Sequence, residues 1–238
     1  MRVLAITAHP TYAVCQCGGA LINHVKKGDE VFIVSLTAGE RMTYMISEKD
    51  MAETNHKELT AAGEIIGVKE TRILSITDTE IVDSIENRYL VNDIVREIKP
   101  DILITHWGRD SHPDVQGTFK LVAAVTMFSQ LTQGPWAKKH PPHQVGRFYT
   151  FEIAGYSRDF VPDVLVDVSA NIEQKKKAML CFQSHIDTDC KGDTDRFLDM
   201  VMIPSRRWGF EPGVEYAEPY RRIQTHETHD KTFECLPL

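Results

Sequence analysis

Short apolar runs and longer segments with helical periodicity alternate along this chain. The runs at 3–6, 31–36 and 101–106 have the length and composition of strands covered on both faces of a parallel sheet. Between them, the segment from Ser47 or Asp50 to Ile66 carries apolar residues three and four positions apart, which is typical of an amphipathic helix. The alternation predicts β-α-β units with right-handed crossovers.

Glycine, proline and serine mark the predicted helix ends. Gly18-Gly19 predicts the start of a first helix that ends near Gly28, and Gly67 ends a second helix. Ser84 has the side chain of an N-cap, and Pro100 cannot continue the helix that Ser84 would start. The third predicted helix therefore has a signal at both ends.

The remaining elements continue the alternation. The pattern predicts strands at 71–76, 147–154 and 165–168, helices at 118–131 and 171–182, and a solvated acidic turn at 187–195. No repeat or linker divides the chain, so 1–238 is predicted to form a single α/β domain. The expected fold is Rossmann-like, with a mostly parallel sheet flanked by helices on both faces.

Composition excludes several classes of partner. The formal net charge is -7 and the longest basic run is only 175–177, so no basic patch supports nucleic-acid binding. No apolar window approaches the roughly 20 residues that span a bilayer, and the N-terminus lacks a basic leader. Five cysteines form an odd set without framework spacing, which favours reduced thiols. We expect a cytoplasmic protein without nucleic-acid or membrane partners.

Two His-Pro dipeptides carry the candidate chemistry. His9-Pro10 follows the first apolar run directly, and His112-Pro113 lies in the loop after the run at 101–106. Because ligands bind outside the carboxyl ends of strands in open parallel sheets, both loops are expected to line one crevice. Gly18-Gly19 does not supply the spaced glycines of a pyrophosphate-binding turn, which argues against a nucleotide-binding module. A small-molecule substrate or ligand is the expected partner.

The sequence around these dipeptides resembles a known family. Ala8-His9-Pro10 and Cys17-Gly18-Gly19 are similar in register to Ala-His-Pro-Asp-Asp-Glu followed by Cys-Gly-Gly, the signature of the LmbE/PIG-L family of zinc-dependent N-deacetylases. The second loop resembles the family's Asp-x-His-Pro-Asp-His element from Asp110 to Asp114. Further similarity lies at 37–40, 167–178 and 216–220. The resemblance covers nearly the whole chain and implies a homo-oligomer.

The resemblance also implies a zinc ion held by two histidines and an aspartate. His9 matches the first histidine, but Tyr12 stands at the aspartate position and Val115 at the second histidine position. Thr11 replaces the family's general base. Because valine offers no lone pair and neutral tyrosine is a poor ligand, the usual zinc centre is not expected here. The cofactor is left open, with His106 or Asp110 as other possible ligands.

The family's remaining catalytic pair is retained. His112 matches its general acid or oxyanion stabiliser, and Asp114 matches the carboxylate that orients this histidine. We therefore expect His112 and Asp114 to be catalytic. The expected substrate-binding residues are Thr11, Tyr12, Asp110 and His106.

The resemblance implies a hydrolase of an amide, N-acetyl-type carbon–nitrogen bond in a small polar or sugar-derived substrate, and this is the hypothesis for the chain. It would act without the usual zinc centre and would rely on the His-Asp pair. The alternative is a catalytically inactive family member that binds a small ligand.

Overall fold

A single mixed sheet organises the computed structural model, which describes residues 1–42, 46–137 and 139–224. The strands are β1 (Arg2–Thr7), β2 (Glu30–Ser35), β3 (Glu70–Ile73), β4 (Ile102–His106), β5 (Arg147–Phe151), β6 (Val164–Asp167) and β7 (Ala217–Arg222). The helices are α1 (Pro10–Lys26), α2 (Glu48–Ile66), α3 (Ile85–Ile98), α4 (Pro113–Phe128), α5 (Ile172–Met179), α6 (Gln183–Asp189) and α7 (Thr194–Phe210).

The strand order explains why helices cover both faces. The seven strands lie in the order β3-β2-β1-β4-β5-β7-β6. The first five are parallel, whereas β7 runs antiparallel to both β5 and β6. The chain moves outward one way from β1 to β3 and the other way from β4 to β5, so right-handed crossovers put their helices on opposite faces. Accordingly, α1, α2 and α5 pack together, and α3 packs on α4. The predicted fold class is confirmed.

Several helix ends follow the expected chemistry. The Ser47 hydroxyl accepts a hydrogen bond from the Asp50 N–H, and Ser84 caps α3 in the same way. Gly67 ends α2 with a φ of 88°, a left-handed conformation that glycine adopts without strain.

Two predicted helix starts were wrong. Helix α1 begins at Pro10, so Gly18-Gly19 lies inside it, and α4 begins at Pro113 rather than at residue 118. In both cases a proline occupies the first turn, where its missing N–H costs nothing and its fixed φ is already helical. The correction matters because it places Thr11 and Val115 on helices and not in loops.

The carboxy-terminal third was predicted least well. The expected acidic turn at 187–195 contains the end of α6 and the start of α7, and neither α7 nor β7 was predicted. Helix α5 is shorter than expected, and the side chain of Asn171 makes no capping hydrogen bond. Pro204 inside α7 and Pro219 in β7 weaken the local signals of both elements.

The described helices and cysteines bear on two of the sequence expectations. Among the described helices, none has the length and hydropathy to cross a membrane. Cys15, Cys17 and Cys190 are buried free thiols, and Cys181 is partly exposed. Cys235 lies outside the described residues.

A buried carboxylate ties α1 to the last strand. Oε1 of Glu218 accepts hydrogen bonds from the Gly19 N–H and from Nζ of Lys175, both at 2.8 Å. Its Oε2 accepts from the Ala20 N–H and the Tyr220 hydroxyl, both at 2.9 Å. Glu218 is 1% exposed and Lys175 is 0% exposed, so the pair is stabilised without help from water.

Close packing at this point explains the glycine pair inside α1. A Cβ at residue 19 would lie 2.6 Å from the Cβ of Val168 and 2.8 Å from Oε1 of Glu218. A Cβ at residue 18 would meet nothing closer than Cγ of Lys175, at 3.4 Å. Gly19 is therefore required by tertiary contact, whereas Gly18 is not.

We expect Gly19→Ala to lower the free energy of unfolding by about 1–3 kcal/mol through overpacking. Gly18→Ala is the matched control, and its better helix propensity should raise stability by up to about 1 kcal/mol. Thermal unfolding followed by circular dichroism measures both. Equal melting temperatures for the two variants would contradict the proposed contact.

Candidate functional site

The two histidine loops meet at one edge of the sheet. His9 and His112 are the N-cap residues of α1 and α4, and these helices follow the adjacent strands β1 and β4. Their ring centroids are 5.1 Å apart in an edge-to-face arrangement. The strand order reverses between β1 and β4, which is where α/β sheets open a ligand crevice.

His9 is held between two carboxylates. Its Nε2 lies 2.9 Å from Oδ1 of Asp78 and 3.1 Å from Oδ2 of Asp114. Asp78 comes from the segment after β3, and Asp114 from the first turn of α4. The side chains of His9, Asp78 and Asp114 are 14%, 7% and 1% exposed. Three separate segments thus bring together one imidazole and two buried carboxylates.

His9 and Asp78 each stabilise the charged form of the other. Burial alone would lower the pKa of His9, but the hydrogen bonds to Asp114 and Asp78 outweigh it and raise the pKa to about 9. Burial would raise the pKa of Asp78, but the hydrogen bond and charge of His9 lower it to about 2. His9 therefore favours its imidazolium form and Asp78 its carboxylate form.

His112 and Asp114 are neighbours, but not in the expected way. The Asp114 carboxylate bonds to the N–H groups of Thr79 and Ile81 and to His9, and the Asp114 backbone N–H donates to Nδ1 of His112 at 3.2 Å. The expectation that this carboxylate orients His112 is corrected, because the first turn of α4 directs it toward His9.

The tautomer of His112 follows from its backbone contact. Because Nδ1 accepts a hydrogen bond, the proton of the neutral ring lies on Nε2. Burial and the positive charge of His9 lower the pKa of His112. The ring is therefore a neutral N–H donor.

His106 and Asp110 support the site from behind. His106 is 0% exposed, and its Nε2 accepts a hydrogen bond from the Ala8 N–H at 2.9 Å. The expectation that His106 binds substrate is therefore corrected, because the buried ring supports the backbone of the loop before α1. The Asp110 carboxylate accepts from the His112 N–H and the Ser157 hydroxyl, both at 2.9 Å. It fixes the loop that carries His112 and has little surface of its own.

Thr11 and Tyr12 line a cavity of about 590 Å³ next to His9. Cys15, also on α1, lines the cavity too, and burial raises the pKa of its thiol to about 12. The opposite wall comes from the segment after β5 and from α6 and α7. Its polar members are Tyr156, His185, Asp189, Arg196 and Asp199. The cavity has the size of a small-molecule site.

Sequence reasoning missed Asp78 and the whole α6–α7 wall. His185 Nδ1 pairs with Asp189 Oδ2 at 3.0 Å, one helical turn apart. A signal for Asp78 existed, because it directly follows a predicted strand of the same sheet. No comparable signal existed for His185, since it lies between the predicted helix at 171–182 and the predicted acidic turn at 187–195, where no element was predicted.

The zinc centre implied by the resemblance does not fit the residues at its positions. Val115 is 0% exposed within the hydrophobic core and carries no donor atom. The Tyr12 ring packs against the rings of His9 and His106, and burial raises the pKa of its phenol. Of the three positions, only His9 offers a ligand atom, so no catalytic step is assigned to zinc there.

The fold, with polar side chains gathered where the strand order reverses, defines the chain as an open α/β protein. The family model PIG-L, described as GlcNAc-PI de-N-acetylase, matches residues 4–126, more than half of the 238 residues. The chain belongs to the PIG-L family. The family resemblance seen in the sequence is thereby confirmed.

Its relatives include enzymes with different reactions. Diacetylchitobiose deacetylase of Thermococcus kodakarensis is 26% identical over 233 residues, covering 93% of this chain and 83% of that protein. The 4-oxalmesaconate hydratase of Pseudomonas putida is 22% identical over 197 residues, covering 77% and 74%. The solved structure of N,N'-diacetylchitobiose deacetylase from Pyrococcus horikoshii with its inhibitor MPG is similar at a TM-score of 0.82 and 26% identity, covering 98% of this chain and 87% of that one.

Proposed function

We propose that this protein is a hydrolase of an N-acetyl-type amide bond in a small polar or sugar-derived substrate, acting without the family's usual zinc centre. The main support is the contact of His112 with His9, a residue that lines a cavity of about 590 Å³. Deacetylase relatives that align with most of the chain support the reaction class.

The proposed role of His112 is oxyanion stabilisation. Hydrolysis adds the hydroxyl of a water molecule to the acyl carbon as the water loses a proton, and moves negative charge onto the carbonyl oxygen. The carbon–nitrogen bond then breaks as the nitrogen gains a proton, so that no net proton is lost. A neutral imidazole whose proton is fixed on Nε2 can donate to that oxygen in the transition state. The backbone contact to Nδ1 of His112 keeps this donor in place.

The proposed substrate contacts come from the cavity wall. The Thr11 hydroxyl can donate or accept a hydrogen bond, and the Tyr12 phenol stays protonated because burial raises its pKa. Arg196 adds a cation and Met200 an apolar surface on the opposite wall. A polar molecule with one apolar face, such as an N-acetylated sugar, suits this lining.

Product analysis tests the proposed reaction. We expect the full-length protein to release acetate and free amine in equal amounts from N-acetylglucosamine or N,N'-diacetylchitobiose, measured by an acetate assay and by amine derivatisation. Release of neither product from any N-acetylated sugar, together with no thermal shift, would overturn the proposed substrate class.

The alternative is a ligand-binding protein without turnover. The replacement of two family ligand positions by Tyr12 and Val115 favours it. It predicts that the same sugars raise the melting temperature while no acetate appears. The two assays on one preparation separate the alternatives.

A further inference from the structure

We propose that His9, Asp78 and Asp114 bind one divalent transition-metal ion, through a ligand set that differs from the family's usual one. Only His9 belongs to both sets. The inference deepens the proposed hydrolase, and in that sense rests on it, because the reaction needs a group that activates water. The binding itself is measured without any substrate.

The ligand atoms already converge. Nε2 of His9 and one oxygen each of Asp78 and Asp114 all lie within 4.8 Å of one another. Metal–ligand bonds of roughly 2.0–2.2 Å place neighbouring ligand atoms about 3.4 Å apart in a tetrahedral site. Since the two His9–carboxylate distances are 2.9 and 3.1 Å, small outward shifts would admit the ion.

Backbone donors hold both carboxylates in position. The second oxygen of Asp78 accepts from the Arg41 N–H at 3.0 Å. Asp114 accepts from the Thr79 N–H at 2.8 Å and from the Ile81 N–H at 3.3 Å. Such outer contacts are what orients ligands in metal sites. The carboxylates are therefore fixed before any ion arrives.

Charge balance favours a dication. A neutral imidazole, two aspartates and a divalent ion sum to zero charge. A third carboxyl group, that of Glu40, lies next to the cluster, since its Oε1 accepts a hydrogen bond from the Asp78 N–H at 2.8 Å. Oε2 of Glu40 is buried and has no hydrogen-bond partner among the described residues. A buried carboxyl oxygen without a partner costs free energy, and a cation bound nearby would lower that cost.

The donor set narrows the identity of the ion. One imidazole and two carboxylates suit Zn²⁺ or Mn²⁺, whereas no thiolate is present to favour a soft ion. His9 also lines the cavity, so the cluster adjoins the proposed substrate site. A metal ion with three protein ligands would leave one position for a water molecule. Activation of that water for attack is the chemistry that such an ion would supply.

Calorimetric titration of the chelator-treated full-length protein tests the site. We expect Zn²⁺ or Mn²⁺ to bind at one ion per chain and to raise the melting temperature. Asp78→Asn and Asp114→Asn should each weaken binding by at least about 100-fold, since even loss of an outer contact costs 10–100-fold. Asp29→Asn is the matched control, because Asp29 also pairs with a histidine, His24, at 2.7 Å. Among the described residues, no second carboxylate pairs with the His24 ring.

A second measurement covers variants that fold poorly. The wild-type protein titrated with Co²⁺ should develop visible absorption bands, which Zn²⁺ then removes. Absence of both binding and these bands would overturn the proposal, as would wild-type affinity in folded Asp78→Asn. Acetate release by protein without metal would overturn the part of the ion in activating water while leaving the hydrolase intact, with the His185–Asp189 pair as the next candidate base. Stoichiometric metal without any hydrolysis would overturn only the proposed function.

Discussion

Glu218→Gln is expected to lower the free energy of unfolding by about 3–5 kcal/mol, because it leaves a buried charge without its partner. Glutamine keeps the shape but presents one carbonyl oxygen to donors that now bond to two carboxylate oxygens. Lys175, 0% exposed, would lose its only ion pair among the described residues. The loss is a large fraction of the 5–15 kcal/mol that stabilises a typical domain.

Urea denaturation measures this loss against a matched control. Glu173→Gln removes another glutamate–lysine pair, with Lys176, in which the glutamate is 76% exposed. Exposed pairs contribute little, so the control should change stability by less than about 0.5 kcal/mol. If Glu218→Gln cost less than about 1 kcal/mol, the buried pair would not hold α1 in place.

His112→Ala is expected to reduce kcat by about 10²–10³-fold on the N-acetyl substrate that the wild-type protein hydrolyses, as for loss of one oxyanion donor. KM should change little, because the donor acts on charge that develops in the transition state. His112→Gln retains an N–H donor and should recover part of the rate. Steady-state kinetics of the three proteins measure the effect.

Two controls keep this comparison specific. His112 also caps α4, and losing a cap costs about 1 kcal/mol, so the assays belong well below the melting temperature. His56→Ala removes an exposed histidine of α2 and should leave kcat unchanged. Full activity in His112→Ala would remove this residue from the mechanism.

The amino-terminal half of the fold was predictable because local signals and tertiary structure agree there. The runs that form β1, β2 and β4 are apolar on both faces, and a parallel sheet buries both faces. Ser47 and Gly67 combine good capping chemistry with positions at the ends of α2. Such segments carry their structure in a few consecutive residues.

Helix α1 and the carboxy-terminal elements were predicted less well, because some of their residues are explained by distant partners. Gly19 looked like a helix start, but it is small because Val168 and Glu218 lie against it. Glu218 and Pro219 look unlike a buried strand, yet β7 buries the carboxylate because α1 and α5 supply its donors. No local pattern contains those contacts.

The candidate site was predictable in its location but not in its pairing. The edge shared by β1 and β4 brings His9 and His112 together, as the topology requires. Which histidine receives the Asp114 carboxylate depends on the rotation of α4, and that depends on the start of the helix at Pro113. The family motif alone could not determine this pairing.

The hydrogen bonds from α1 to Glu218 of β7 link the site to the carboxy-terminal part of the chain. The family match ends at residue 126, and a fragment of that length would still contain His9, Asp78 and Asp114. It would lack Glu218, which bonds to the middle of the helix that His9 caps. We expect substitutions in β7 that contact none of these three residues to shift α1 and, with it, His9, so variation near residue 218 would change the site without altering its side chains.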